Sequence, residues 1–336
     1  MELRLSRLDL AARMLERSGL GALLLRRPPW SGVLALSYHR IGDGRASPYD
    51  RNAWSARPDV LDAHVRLLVR HLDVVAPGDL EEARRRPRSR SVVLTFDDGY
   101  RDSWEHALPV LASHGVRAAF FPITGLIDRP RVPWWDEIAW MVRTSPRAGV
   151  PAGAGLGEPV PWDEPEREGA VRALLGRYKA LGGAATEAWL DALAEATGSG
   201  RHPQDDAADL WLTWDMVRDL HRAGMTIGGH TVTHPILTSL GAEAQRAEIA
   251  GCRERIEAEV GAPMTIFAYP AGRYDAATRD ALTAEGVQLA FGHAGGYRRS
   301  SAPWDPHDVP RTSVSPRIGV RRLRGTVTLP RVFARW

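Results

Sequence analysis

The stretch that most constrains this chain is residues 91–100, S-V-V-L-T-F-D-D-G-Y. Apolar or β-branched residues at 92–96 run without alternation into two adjacent carboxylates, Asp97 and Asp98, and then Gly99. A short, unalternating, β-branched run is the pattern of a strand buried on both faces, as in parallel sheets covered by helices. In such sheets the carboxyl ends of the strands carry the chemistry. Two neighbouring Asp side chains at a buried strand end repel each other unless positive charge is shared between them. A metal ion for one and a proton or an arginine for the other resolves the conflict. An Asp-Asp-Gly turn that merely ends a strand uses the same residues, so this stretch alone leaves both readings open.

The rest of the chain alternates strand and helix patterns. Strand patterns fall at 33–38 (ending at His39), 73–76, 117–123, 225–229 (ending at His230), 264–269, 288–291 and 309–314. Helical patterns fall at 58–72, opened by Pro58 and Asp59, at 103–114, stopped by Gly115, and at 214–223, 242–260 and 276–285. This alternation predicts a parallel sheet and an α/β fold of the distorted or incomplete (β/α)7-type barrel class. Residues 145–161 are rich in Gly, Pro and Ala and read as a loop, and 165–181 and 186–197 read as helices. Residues 145–210 are therefore expected to form a helical insertion that caps or edges the site. The main domain is expected at 31–316, after an amphipathic helix in 1–30 and before an Arg-rich tail at 317–336 that carries no assignable element.

Composition narrows the function classes. Of the 336 residues 44% are hydrophobic and 25% charged, ordinary for a soluble globular protein. A formal charge of +3 implies no nucleic-acid partner. Lys179 is the only lysine among the basic residues, a bias that codon usage explains. The Arg-rich run 84–90 reads as a solvated loop. Cys252 is the only cysteine, which forbids an intrachain disulfide and suits a reducing compartment. Arg4, Arg7, Arg13, Glu16 and Arg17 interrupt any apolar leader, and no run reaches transmembrane length. These features point to a cytoplasmic protein. The amphipathic stretch 3–25, followed by Arg26 and Arg27, leaves contact with a membrane surface open, although packing on the domain is commoner.

Polar groups at several strand ends can converge. Asp97 and Asp98 form the first set. His230 and His234, in H-T-V-T-H-P after two glycines, form the second. Two imidazoles and the Asp98 carboxylate make a zinc-type donor set with an open position for water. Residues 267–272, F-A-Y-P-A-G, form a strand entering a Pro/Gly turn that can offer a backbone N–H to an oxyanion. Trp134 and Trp135, expected on a loop after a strand, are the best candidates for stacking on a sugar.

T-F-D-D-G, H-T-x-T-H-P and F-A-Y-P-x-G, in this order, resemble the motifs of the polysaccharide deacetylase family, carbohydrate esterase family 4. The resemblance implies that Asp97 is the catalytic base, that Asp98, His230 and His234 hold a divalent metal, most often Zn2+ with Co2+ as an alternative, and that Tyr269, Pro270 and Ala271 border the substrate. Two departures stand out. Phe267 and Ala268 occupy the place of the arginine that the family uses to hold its catalytic Asp, and the C-terminal region lacks the usual Leu-x-His motif. Leu36-Ser37-Tyr38-His39 instead ends the first strand, which resembles the subclass with circularly permuted motifs. It implies His39 as general acid, with His293 as a rival. Arg311, on a late strand, is the candidate for the displaced arginine.

The activity so implied is metal-dependent removal of N-acetyl groups from an N-acetylhexosamine-containing glycan or glycan intermediate. The alternatives are deacylation of a lipid-linked sugar or a small-molecule amide, ester deacetylation of a polymer such as xylan, and a catalytically idle glycan-binding protein on the same fold.

Overall fold

The computed structural model describes residues 7–334 apart from 27–28, 87, 154, 163–166 and 294. Residues 3–6 and Arg27 of the expected N-terminal helix, 165–166 of an expected insertion helix and 335–336 of the tail lie outside the described residues. Strand Arg90–Asp98 is buried along nearly its whole length, as its unalternating sequence requires. It pairs in parallel with Gly32–Tyr38 on one side and with Ala119–Pro122 on the other. Thr226–Ile227 follows, also parallel. A single bridge, Gly229 to Phe267, leads to the parallel pair Ile266–Ala268 and Leu289–Phe291. A second bridge, Phe291 to Val309, leads to Thr312–Ser313, which pairs in parallel with Leu36 and Ser37 of the first strand.

The parallel elements therefore follow one another around a (β/α)7-type barrel, distorted where single bridges replace ladders. The distortion has a direction. Antiparallel Tyr297–Arg299 takes the edge of Gly32–Tyr38 at its amino half, and Asp73–Val74 takes the amino half of one edge of Arg90–Asp98. On these two edges the barrel pairing is left to the carboxyl halves, the end where the acidic pair lies.

Strand parity divides the side chains into two cores. Val33, Ala35, Val93, Ala119, Phe121, Ile266, Ala268, Phe291 and Val309 share one cluster, the barrel interior. Leu34, Leu36, Val92, Leu94, Phe96 and Phe120 face the helices in another. Continuing the interior parity by two-residue steps reaches Ser37, Thr95, Asp97 and Arg311. The top layer of the barrel is thus polar and charged rather than aliphatic.

Two regions depart from the sequence expectation. Trp134 and Trp135 are not on a loop: extended Pro133 starts helix Trp134–Thr144, so both occupy its first turn. That helix packs with Glu168–Tyr178 and Thr186–Thr197 around a third core containing Ile138, Met141, Val142, Leu174, Leu190 and Leu193. Arg201 holds this layer by a forked pair to buried Glu137, with contacts of 2.7 and 3.0 Å. The Arg-rich C-terminal segment also has structure, helices Val320–Thr328 and Pro330–Phe333, with Leu323 and Val327 in the main core. The N-terminal helix is broken at Ser18-Gly19 into Arg7–Arg17 and Leu20–Arg26. Arg321 and Arg322 pair with its Glu16 and Asp9. Among the described residues no helix is long and apolar enough to cross a membrane.

Gly228 sits where the barrel ladder thins. A Cβ there would lie 2.5 Å from the Phe121 ring and 2.6 Å from the Ile266 side chain. Gly228→Ala should therefore destabilise the fold by about 1–3 kcal/mol through overpacking. Gly176→Ala, in a helix where a Cβ meets nothing within 4 Å, should be neutral or stabilising by up to about 1 kcal/mol. Thermal melts of the two variants check the contrast.

Candidate active site

The polar layer is organised by one ion pair. Arg311 and Asp97 are each 1% exposed, and Arg311 Nη1 donates to Asp97 Oδ1 at 2.7 Å. The same nitrogen donates to Thr95 Oγ1 at 3.0 Å, and Arg311 Nε donates to the Gly292 carbonyl at 3.1 Å. Ser37 Oγ donates to Asp97 Oδ2 at 3.3 Å. Burial alone would raise the Asp97 carboxyl. The Arg311 charge, aided by His230 and His39, outweighs it and holds the group well below the usual carboxylate range.

Asp98, one residue on, goes elsewhere. Its φ of +70° lies in the left-handed region, so the chain turns there and its carboxylate joins the two histidines instead of facing the helices as strand alternation would have it. Gly99 continues the turn at φ +82°, where a Cβ would sit 2.9 Å from Pro122. His230 and His234 are carried by a tight turn with positive φ at Thr231 and His234. Glu248 fixes that turn by accepting from the Val232 and Thr233 N–H groups at 2.8 and 2.9 Å. Asp98 Oδ1 lies 3.5 Å from His230 Nε2 and 3.6 Å from His234 Nε2. One donor atom from each of the three residues fits within 4.8 Å of the others.

This donor set fits a divalent cation. His230 Nδ1 lies 2.7 Å from the Ala268 carbonyl, which can only accept, so the proton of a neutral His230 is on Nδ1. Its Nε2 then turns a lone pair towards the Asp98 carboxylate. Two acceptors facing each other across 3.5 Å suit a cation between them. Burial, then the neighbouring His230, pushes His234 down to about 3, so His234 is a neutral imidazole, the form that ligates metals.

The acidic pair and both histidines line a cleft of about 510 Å³. His39, Trp134, Trp135, Lys179, Ala271 and His293 form its walls. His39 Nε2 is 4.0 Å from Asp97 Oδ2, and its side chain is partly open to the cleft. His293 is set deeper, with Nδ1 3.2 Å from Ser313 Oγ, and burial followed by the Arg311 charge pushes it down to about 3.

Trp135 is buried against His234, ring centroids 4.7 Å apart, while Trp134 stacks on Tyr178 at 4.3 Å. Trp135 Nε1 donates to the Tyr100 hydroxyl at 2.7 Å, and that hydroxyl donates to Asp136 Oδ2 at 2.8 Å. Asp136 Oδ1 accepts the Asp50 N–H at 3.0 Å, which ties the opposite wall into the same network. Burial, against the pull of Arg40, pushes the Asp136 carboxyl up to about 7.

Of the residues read from the sequence, the structure brings Asp97, Arg311, His39, Asp98, His230, His234, Trp134, Trp135 and Ala271 around this cleft. Tyr269 and Pro270 lie behind it. The Tyr269 hydroxyl donates to the His307 carbonyl at 2.8 Å and its ring stacks on Tyr274, while Pro270 is buried in the turn that sets Ala271 at φ +52°. Sequence reading passed over Ser37 and Thr95, which strand parity with Asp97 could have found. It also passed over Tyr100, Asp136 and the cleft position of Lys179, for which the sequence holds no local signal.

The model of the family described as polysaccharide deacetylase matches residues 84–149 and 168–290, more than half of the chain. A Bacillus subtilis protein named putative polysaccharide deacetylase YxkH is 20% identical over 256 residues, 76% of this chain and 62% of that protein. The poly-β-1,6-N-acetyl-D-glucosamine N-deacetylase of Escherichia coli K12 is 30% identical over 124 residues, 34% of this chain and 18% of that protein. The chain thus spans less than two thirds of the length of either relative. The structure of the Streptococcus pyogenes deacetylase PplD in complex with acetate superposes with a TM-score of 0.59 at 18% identity, covering 89% of this chain and 99% of that one, which shows a shared fold. The chain belongs to the polysaccharide deacetylase family.

Proposed function

We propose that this protein is a divalent-metal-dependent hydrolase that removes N-acetyl groups from a glycan containing N-acetylhexosamine. The observation that carries the proposal is the buried Arg311–Asp97 pair lying directly beside the Asp98, His230 and His234 donor set. A structural ion pair has no need of a cation site next to it, and a structural cation site has no need of a second, separately ionised carboxylate. The names of the relatives lend support. The Escherichia coli protein is named for N-deacetylation of poly-β-1,6-N-acetyl-D-glucosamine, and the Streptococcus pyogenes structure contains acetate, the acid that such a reaction releases.

Asp98, His230 and His234 would hold the metal, and two imidazoles with one carboxylate suit Zn2+, with Co2+ as a substitute. When bound, the metal supplies a water acidified towards neutrality and polarises the carbonyl under attack. The remaining work falls to the protein. Asp97 Oδ1 is occupied by Arg311, so Oδ2, on the His39 side, accepts the proton of the attacking water. Arg311 keeps that carboxylate ionised until the water arrives. The Ala271 N–H, at the edge of the cleft, stabilises the developing oxyanion. His39, protonated, delivers a proton to the leaving nitrogen, without which an amine leaves poorly. His293, held neutral deep in the wall, is less suited to that task. The products are acetate and a free amine on the sugar.

Asp97→Asn should retain bound metal and lose turnover by about 10²–10⁴-fold, the usual worth of a general base. His230→Ala should lose the metal itself. Metal content by mass spectrometry and acetate release from N-acetylglucosamine oligomers separate the two effects. A metal-free wild-type protein after zinc loading, or an Asp97→Asn variant that deacetylates normally, would overturn these roles. Arg311→Met should raise the Asp97 pKa and so move the acid limb of kcat/KM to higher pH by about 1–3 units. The direction follows from the sign of the shift: a base held below its ordinary range loses activity only at low pH, and removal of the charge that holds it brings that loss closer to neutrality.

A further inference from the structure

The barrel end opposite the catalytic cleft carries a surface that the deacetylase reading does not use. The paired helices Arg7–Arg17 and Leu20–Arg26 leave four large apolar side chains in solvent: Leu10, Met14, Leu20 and Leu23, with Met14 65% and Leu23 58% exposed. On the first helix, exposed Arg7, Leu10, Met14 and Arg17 fall on one face at helical spacing. On the second, Leu20, Leu23 and Arg26 repeat the pattern. The charges are sorted. The two acids of these helices, Asp9 and Glu16, are engaged by Arg322 and by Arg321 and Arg324 of the C-terminal helix. The exposed stripe is left with leucines, a methionine and arginines.

Pro29, three residues beyond the second helix, borders a surface cavity of about 610 Å³. Trp30, Tyr297, Arg88, Arg90, Arg299 and Arg331 line it, and among the described residues no acidic side chain does. Ser31, at the start of the first strand, and Arg90, the first residue of the central strand, also border it, which places it at the amino end of the barrel. The short helix that carries Arg331 adds one more exposed apolar residue, Val332. An apolar stripe bordered by cations, next to a pocket lined by four arginines, has the complementarity of an anionic bilayer: acyl chains for the stripe and phosphates for the arginines.

We infer that the helical pair Arg7–Arg26 and the Arg88/Arg90/Arg299/Arg331 cavity dock this protein on the surface of an anionic lipid bilayer. Leu10, Met14, Leu20 and Leu23 enter the boundary between headgroups and acyl chains, and the arginines take lipid phosphates. The orientation bears on substrate. The nine-residue central strand separates the basic cavity from Asp97 and Asp98, about 26 Å at the usual rise, so the cleft opens away from the bilayer. A protein so docked reaches a glycan chain extending from the surface, not a sugar headgroup lying in the same leaflet.

The test is co-sedimentation of the full chain with vesicles of phosphatidylcholine alone and of phosphatidylcholine with phosphatidylglycerol. The expected result is binding only to the second, relieved by salt. The triple variant Arg88→Gln, Arg299→Gln, Arg331→Gln should weaken it roughly 100-fold, at the usual worth of an arginine near an anionic surface. Leu10→Ser with Met14→Ser and Leu23→Ser should weaken it at least about tenfold at unchanged charge. Both variants should keep wild-type thermal melts, and neither touches the catalytic cleft, so acetate release from a soluble substrate reports on the deacetylase reading separately. Equal binding to both vesicle types, no binding, or variants that bind like wild type would overturn the inference. A chain that is dimeric in solution and made monomeric by the Leu→Ser changes would overturn it too, by assigning the face to a second copy.

Discussion

The ion pair between Arg311 and Asp97 is the interaction on which the site depends. Two charges taken out of water cost several kcal/mol each, and their attraction repays more of this as more of their remaining donors and acceptors are used. Here Thr95, Gly292 and Ser37 supply partners, while Arg311 Nη2 is left without one. The pair also spans the weakest part of the fold. Arg311 belongs to the segment that closes the barrel through one bridge and a two-residue ladder, while Asp97 belongs to its longest strand. Charge therefore joins what backbone pairing joins only thinly. A buried salt bridge is poor evidence for stability as such, but removal of one partner is costly, about 3–5 kcal/mol, because the other is left alone. That penalty fixes the register of the last strand and with it the position of the arginine.

The same physics explains why two adjacent aspartates can have different fates. Left at ordinary strand geometry, Asp97 and Asp98 would point to opposite faces. Asp97 does follow the interior parity and meets the arginine. Asp98 leaves the strand at positive φ and meets the imidazoles. Like charges on neighbouring residues remain ionised together because each has its own positive partner, a guanidinium for one and, for the other, a pair of histidines that with it could hold a cation. Ala268 and Glu248 contribute from a second layer, one by fixing the His230 tautomer and the other by fixing the turn between the histidines.

Much of this was legible in the sequence because it follows from local rules. The run 92–96 announced a doubly buried strand, the strand–helix alternation announced the barrel, and three ordered motifs placed Asp97, Asp98, His230 and His234 at strand ends. Arg311 was reachable as a late-strand arginine, although only parity with Val309 shows that it faces inwards. What escaped depends on tertiary context. Trp134 and Trp135 follow Pro133, which serves equally to end a loop or to start a helix, and packing against Leu174 and Leu190 decides for the helix. The Arg-rich C-terminal segment could not be assigned because its helix depends on tertiary partners: Leu323 and Val327 in the main core, and Asp9 and Glu16, some three hundred residues away in sequence. Tyr269 sits in a motif that borders the site, yet its ring turns to Tyr274 because the backbone of the turn, not its side chain, faces the cleft.

The cleft walls come from parts of the chain that have no sequence signal in common, so something must hold them in register. Asp136 does this. Through Tyr100 it positions Trp135, which packs on His234, and through the Asp50 N–H it positions the loop that follows His39. A carboxyl in that position serves as a hub because it has two oxygens and accepts from both walls at once. Its raised pKa is the sign of how dry the hub is. A dry hub transmits displacement rather than absorbing it, since close-packed interiors deform in steps and not continuously. The loop beside His39 and the indole against His234 therefore move together or not at all, and the insertion, whose helices pack against the helix of Asp136, becomes part of the geometry of the cleft without lining it, among the described residues, with an acidic or histidine side chain.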